Sequence, residues 1–488
     1  MALSSRSSSS AKRANVLNSA VCIEGCAHST LATAPCGGST AASKHDPSAL
    51  HSKSSAETPL AIKRIIPISS GKGGVGKTTF AINFALSLSR HGRTILVDLD
   101  TGTSAIRNAI DVPIGQDLYH FFRKGESLNR CVTQLDDRMD PDRRYRNFGF
   151  VAGPLHLIEE ITNFGAGHKA KLIEAINGLD ADYVILDMRA GLDSNVIDFL
   201  PFSNSGILVF TPHLPSATLA ASDIVKAILF RKLRLIFSKE SPFFATVGGQ
   251  LDFWRLINDL IDRVEDVYDS SVQNLDAFAD DLANNLGDHP ITRTVQQTLE
   301  EFRVHYVLNL FNGVDDSFET AVKPFIENLT RNVSARCGVT NLGWITRSEA
   351  VHQANCNRVP AILLPATEGR KSKGDRASRE LDDLRVAIGL EPPRKRAERK
   401  PGQPQAAIDP ADHLSSQLNV LRTMFDQKKN DDYHANFDYA SQRALFTMKN
   451  RRPSEFGDLR VYTPQEMLKT IFAKSNLPTA VDWNELEP

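Results

Sequence analysis

The chain has 488 residues, 24% of them charged, and a formal net charge of −1. That length accommodates one large domain with additions or two domains, and the balanced charge selects no class of partner. No apolar run approaches the ~20 residues of a membrane-spanning helix, which excludes a helical integral membrane protein.

Residues 1–58 are rich in Ser and Ala, carry Arg6, Lys12 and Arg13, and have no acidic residue before Glu24. This composition predicts a disordered segment, with an organellar transit peptide as the alternative. Cys22, Cys26, Cys36, Cys131, Cys337 and Cys356 show no paired or metal-ligand spacing, which suits a reducing cytoplasm. The apolar stretch Ile65–Ile68 predicts a strand, and Phe80–Leu88 a helix. Between them runs Gly71-Lys72-Gly73-Gly74-Val75-Gly76-Lys77-Thr78-Thr79. Glycines there let successive backbone N–H groups face phosphate at a helix N-terminus. Lys77 would bridge the β- and γ-phosphates of ATP, and the Thr78 hydroxyl would complete the shell of Mg²⁺.

Thr94–Val97 predicts a short buried strand that delivers Asp98 and Asp100 to the ligand edge of a parallel sheet. Tyr183–Leu186 is a second such strand and ends at Asp187, a carboxylate suited to hold Mg²⁺. Gly191 follows, where a backbone N–H can sense the γ-phosphate, and Arg189 between them is expected to face outward, with contact to the phosphates as the alternative. Gly206–Phe210, Tyr306–Leu308 and Leu342–Ile345 continue the strand series.

The segment between Phe237 and Tyr306 is too long for a loop and too periodic for disorder, so a helical insertion at about 240–303 is expected. Leu251, Trp254, Ile257, Leu260, Ile261, Val264 and Tyr268 fall at helical spacing, and Leu275–Leu286 and Val295–Phe302 predict two more helices. Twelve acidic and three basic residues lie between Leu251 and Glu301. That face is either solvated surface or a dock for a basic partner, and it should repel nucleic acid. The basic and apolar run Ile228–Phe237 is expected to continue a core helix into the insertion. Residues 391–410 form a basic, proline-containing linker with Arg394, Lys395, Arg396, Arg399 and Lys400, either solubilising or touching DNA phosphates non-specifically. Residues 411–488 form a mainly helical extension, with a stripe of Leu414, Leu418, Leu421 and Phe425 and a capping box at Thr463–Glu466. Whether this tail packs on the preceding domain or docks elsewhere is open at this level. The acidic C-terminal residues argue against binding anionic membranes.

The second lysine of the loop, Lys72, makes GKGGVGKTT resemble the deviant Walker motif of the MinD/ParA family, especially its MinD-like and FlhG-like members. The resemblance covers residues 62–390 with the insertion as an interruption, and it implies a doubly wound, mostly parallel α/β sheet with helices on both faces over a domain at 59–390. It implies an ATPase in which Lys72 reaches a partner's phosphates across an ATP-dependent homodimer, Asp100 positions the attacking water, and Asp98 lies near the metal. Asn309 matches the strand-end Asn that contacts the adenine edge, with Asn312 as the other register, and Gly102 also fits the pattern. Ala105 stands where relatives often carry Asn. Such proteins position a septum, flagellum, chromosome, plasmid or large complex from the cytoplasm. The alternative on the same loop is a small-molecule ligase related to cobyrinic acid a,c-diamide synthase.

Overall fold

The computed structural model describes residues 63–100, 104–156, 158, 160, 165–192, 194–200, 204–238, 241, 251–265, 273–365, 410–427 and 432–449. The expectations for residues 1–58, Gly102, Tyr268, the linker before residue 410 and the capping box at Thr463–Glu466 lie outside the described residues.

Eight strands form one sheet: β1 Arg64–Ser69, β2 Thr94–Leu99, β3 Thr133–Gln134, β4 Phe148–Val151, β5 Tyr183–Met188, β6 Asn204–Phe210, β7 Arg303–Phe311 and β8 Gly338–Thr346. Their order is β3-β4-β2-β5-β1-β6-β7-β8. Every pairing is parallel except β3 against β4. The central strands read as continuous apolar runs because both faces are covered, as a parallel sheet requires. Successive residues of β1 show the division: Ile65 enters one core, and Ile66 and Ile68 the other.

Helix α1, Lys77–Leu88, fills the second of these faces. Ten of its twelve residues are buried, so it is apolar nearly all round rather than amphipathic. The opposite face carries α2 Leu118–Lys124, α3 Ala166–Asn177 and the long α4 Pro215–Ile236. Proline opens α4 where its missing N–H costs nothing, and the helix runs through the basic and apolar stretch. Ile228, Leu229, Phe230, Leu233 and Ile236 are buried there.

The insertion consists of α5 Leu251–Glu265, α6 Leu275–Leu286 and α7 Pro290–Glu301. The Asn274 side chain caps α6 by accepting from the N–H groups of Asp276 and Ala277 at 3.1 and 3.0 Å. The apolar sides of these helices do not form a separate small core. Ile257, Ile261, Phe278, Leu282, Val295 and Leu299 join the same apolar cluster as Phe210, Leu229 and Leu308. Helix α8 Lys323–Asn332 packs on α4, and α9 Glu349–Cys356 follows β8.

The described part of the C-terminal extension packs on the sheet. Helix α10, Pro410–Gln427, places Leu421 and Met424 in the first core, while α11, Tyr433–Lys449, places Phe437, Ala440 and Ala444 in the second. The two helices therefore stand on opposite faces beside β8, at the end of the sheet. Tyr306 Oη donates to Gln417 at 2.9 Å, and Asn436 accepts from the Thr346 N–H at 3.2 Å. Gln417 and Arg443 also donate to the Val339 and Asn341 carbonyls of β8, bonds that compete with pairing to another chain.

Strands β3 and β4 were not legible in the sequence. Phe148-Gly149-Phe150-Val151 is short, interrupted by glycine and preceded by a charged stretch, yet Phe148, Phe150 and Val151 are buried because β2 offers a free parallel edge. Among the described residues, no helix is long and apolar enough to cross a membrane.

Candidate functional site

The loop after β1 turns into α1 through two left-handed glycines, Gly74 and Gly76, each with φ of 80°. A side chain at Gly76 would also collide with the Asn309 amide, 2.2 Å from an ideal Cβ. Gly71 is constrained differently: its Cβ would meet the backbone of Ala220 on α4 at 2.5 Å. Gly73 and Gly74 face open space. The loop is thus seated on α4 and β7 at its ends and open at its crest, a cradle for an anion at the N-terminus of α1.

Three side chains converge at the base of that cradle. Lys77 Nζ lies 2.5 Å from Asp187 Oδ1, and Thr78 Oγ1 donates to Asp187 Oδ2 at 2.7 Å. Lys77 is 6% exposed and Asp187 is fully buried, so this is an interior ion pair. Parallel pairing sets Asp98 level with Asp187 on the neighbouring strand. Burial, and next the Asp187 charge, push the Asp98 carboxyl up to about 7; hydrogen bonds from Ser104 and the Asp100 and Gly153 N–H groups act in the opposite direction.

The carboxylate of Asp98 is enclosed. Oδ1 accepts from the Asp100 N–H at 3.1 Å, and Oδ2 accepts from Ser104 Oγ at 2.9 Å and the Ile106 and Gly153 N–H groups at 3.3 Å. Its position makes it an anchor for the loop after β2, whereas Asp187 and Thr78 face the glycine cradle. Asp100 is half-buried beside it. The hard oxygen donors of Thr78 and Asp187 suit Mg²⁺, and they sit where a phosphate on the loop would share the ion.

Gly191, with φ of 114°, donates its N–H to the Ser70 carbonyl at 3.0 Å and so links the end of β5 to the start of the glycine loop. Arg189 is exposed. Val75 is buried, and its carbonyl accepts from Asn309 Nδ2 at 2.8 Å. The Asn309 amide thus braces the loop backbone, and the next residue, Leu310, adopts a left-handed φ of 57° as β7 bulges. Asn312 turns instead to Ser317 and Asp316. Lys72 is exposed on the crest, and its carbonyl accepts from Ser70 Oγ at 3.0 Å.

Sequence reasoning missed three contributors. Ser104 and Gly153 hold Asp98, and Asn355 on α9 donates to Thr79 Oγ1 at 3.2 Å. The Gly153 and Asn355 contacts join segments 55 and 276 positions apart, so no local spacing announces them, whereas Ser104 lies only six residues past Asp98. The polar residue beside Ala105 was the available signal for Ser104.

A parallel sheet whose first strand passes through a glycine loop into a helix, with Lys and Thr meeting a strand-end Asp, defines a P-loop nucleotide-binding domain. Residues 63–232 match the family model described as an AAA domain. The chain is 31% identical over 191 residues to the chloroplastic septum site-determining protein minD homolog of Arabidopsis thaliana, covering 38% of this chain and 55% of the relative. It is 28% identical over 187 residues to the septum site-determining protein MinD of Escherichia coli K12, covering 37% and 63%. The alignments span about half the length of the curated relatives; for the MinD of Oltmannsiellopsis viridis the share is 46%. A solved structure of MinD with Mg-ADP from Pyrococcus horikoshii overlays 66% of this chain and 97% of its own at 18% identity, with a TM-score of 0.35. The P-loop domain of this chain is thus similar in sequence to that of septum site-determining MinD proteins.

Proposed function

We propose that this protein binds and slowly hydrolyses ATP, using the nucleotide to switch between monomer and homodimer and so to position a cellular component. The observation that carries this reading is the convergence of Lys77 and Thr78 on Asp187 beneath an open glycine cradle. Lys77 would exchange its carboxylate partner for the β- and γ-phosphates, a charge-assisted contact of the same kind. Thr78 and Asp187 would hold Mg²⁺, which when bound neutralises charge on the phosphates. Asp98 fixes the loop that presents Asp100, and Asp100 would orient the attacking water. Asn309 stands at the end of β7 beside the loop, where it would meet the adenine edge.

Lys72 is exposed on the crest rather than folded into its own site. That placement supports its reaching the phosphates of a second copy, which would couple hydrolysis to dissociation. The relatives are named for septum-site determination, and the positioned structure here would be recognised by the acidic insertion or by the C-terminal helices. Residues 1–58 fit either a cytoplasmic tail or an organellar leader, and one relative is named as chloroplastic.

The test is the solution mass of the Asp100→Ala chain by light scattering with ATP and Mg²⁺ against ADP and Mg²⁺. A dimer with ATP alone is the expected result. A mass indifferent to nucleotide sinks the switch and moves weight to the small-molecule ligase reading.

A further inference from the structure

The relation between α11 and α1 exceeds what a cover for the sheet requires. Helix α1 carries the nucleotide ligands Lys77, Thr78 and Thr79 in its first turn. The next residue, Phe80, stacks on the fully buried Phe437 of α11, with ring centroids 6.3 Å apart. At the other end of α1, Ser87 Oγ donates to Asp438 Oδ1 at 2.6 Å and meets Ser441 Oγ at 2.8 Å. Arg90, just past the helix, spans from Asp438 Oδ2 to Tyr145 Oη at 2.8 Å each. Ser87 and Ser441 are 1% and 0% exposed, so their contact is an interior polar bond between segments 354 positions apart.

The same helix is also bonded to β8. Asn436 accepts from the N–H and hydroxyl of Thr346, and Arg443 Nε donates to the Asn341 carbonyl at 3.0 Å. A helix that only shielded apolar surface would need no directional bonds to the C-terminal end of α1. These bonds set the axial position of α1, because sliding it would strip buried hydroxyls of partners, which costs more than loss of apolar contact.

We propose that α11 is a brace for the phosphate-binding helix, with Phe437 and Asp438 as positioning residues, so that nucleotide binding and α11 docking are thermodynamically linked. The inference rests on the ATP-site reading above. Linkage is reciprocal: if docked α11 favours nucleotide, nucleotide must favour docked α11 by the same free energy. A purely structural helix would lower stability when weakened and leave the affinity of the folded chain unchanged.

The test combines hydrogen exchange with affinity. In the full wild-type chain, amides of residues 433–449 are expected to exchange at least about 5-fold more slowly with ADP and Mg²⁺ than without, the low end of typical coupling between sites. Asp438→Ala with Ser441→Ala is expected to weaken ATP binding by a similar factor, and Asp438→Asn, which keeps an acceptor for Ser87, to restore much of it. Arg443→Gln, which loses only bonds to β8 and its own helix, is expected to leave affinity within about 2-fold, below that coupling range. Nucleotide binding without any change in α11 exchange overturns the brace alone. Equal loss of affinity in Arg443→Gln and the Asp438 variant also overturns it, because that pattern follows general destabilisation. A wild-type chain that binds neither ATP nor ADP overturns both the brace and the phosphate-site reading.

Discussion

Replacing Lys77 should damage the protein before any nucleotide is added. Lys77 is 6% exposed and Asp187 is fully buried, at 2.5 Å. Removing the ammonium leaves the Asp187 charge in the interior, beside the buried carboxyl of Asp98 that already feels it. Truncating one member of a buried ion pair costs about 3–5 kcal/mol, because the remaining charge is uncompensated. Lys77→Met is therefore expected to lose that amount in urea unfolding of the full chain without nucleotide, followed by fluorescence. Trp344, buried and 5.0 Å from the Phe311 ring, reports on the second half of the sheet. The double variant Lys77→Met with Asp187→Asn removes both charges, and it should return to within about 1 kcal/mol of wild type, since neutral replacements of buried pairs are often nearly neutral. If the single variant loses under about 1 kcal/mol, or the double variant is no better than the single, the interior pair is not what holds this site together.

Two further outcomes follow from the same geometry. Gly76→Ala must place a Cβ at a left-handed φ, a strain of roughly 1–2 kcal/mol, and drive Asn309 off the Val75 carbonyl. Its affinity for a fluorescent ATP analogue, read by anisotropy, should fall by roughly 10-fold or more, the equivalent of that strain, and an unchanged affinity would show that the loop tolerates another path. Asp98 has its carboxyl raised from 3.8 to about 7, so the folded chain keeps a proton that the unfolded chain releases. Its contribution to stability is complete below the unfolded value and is lost as pH climbs toward the folded one. Asp98→Asn should accordingly show a shallower decline of urea midpoint between pH 5 and 7 than wild type, and parallel slopes would remove the assignment.

The nucleotide site was legible because its parts are local. Nine consecutive residues specify a turn that only glycines can make, and each strand-end carboxylate follows directly from the apolar run that places it. The sequence by itself therefore determined the loop, the strands β1, β2 and β5 to β8, and the aspartates at the ends of β2 and β5. Val75 facing Asn309, Ser104 and Gly153 enclosing Asp98, and Asn355 at Thr79 were not readable. The Val75, Gly153 and Asn355 contacts depend on which elements the fold makes neighbours, and periodicity carries no information about that; Ser104 is local to Asp98, but its role depends on how the loop after β2 folds back. The tail shows the same limit. Leu414, Leu418 and Leu421 announce an apolar helix face, but a helix face is equally satisfied by the sheet or by another protein. Only the tertiary structure decided that α10 and α11 bury their apolar faces on opposite sides of β8, because closing the sheet's terminal strand and satisfying Ser87, Thr346 and Tyr306 requires groups brought together by the whole fold.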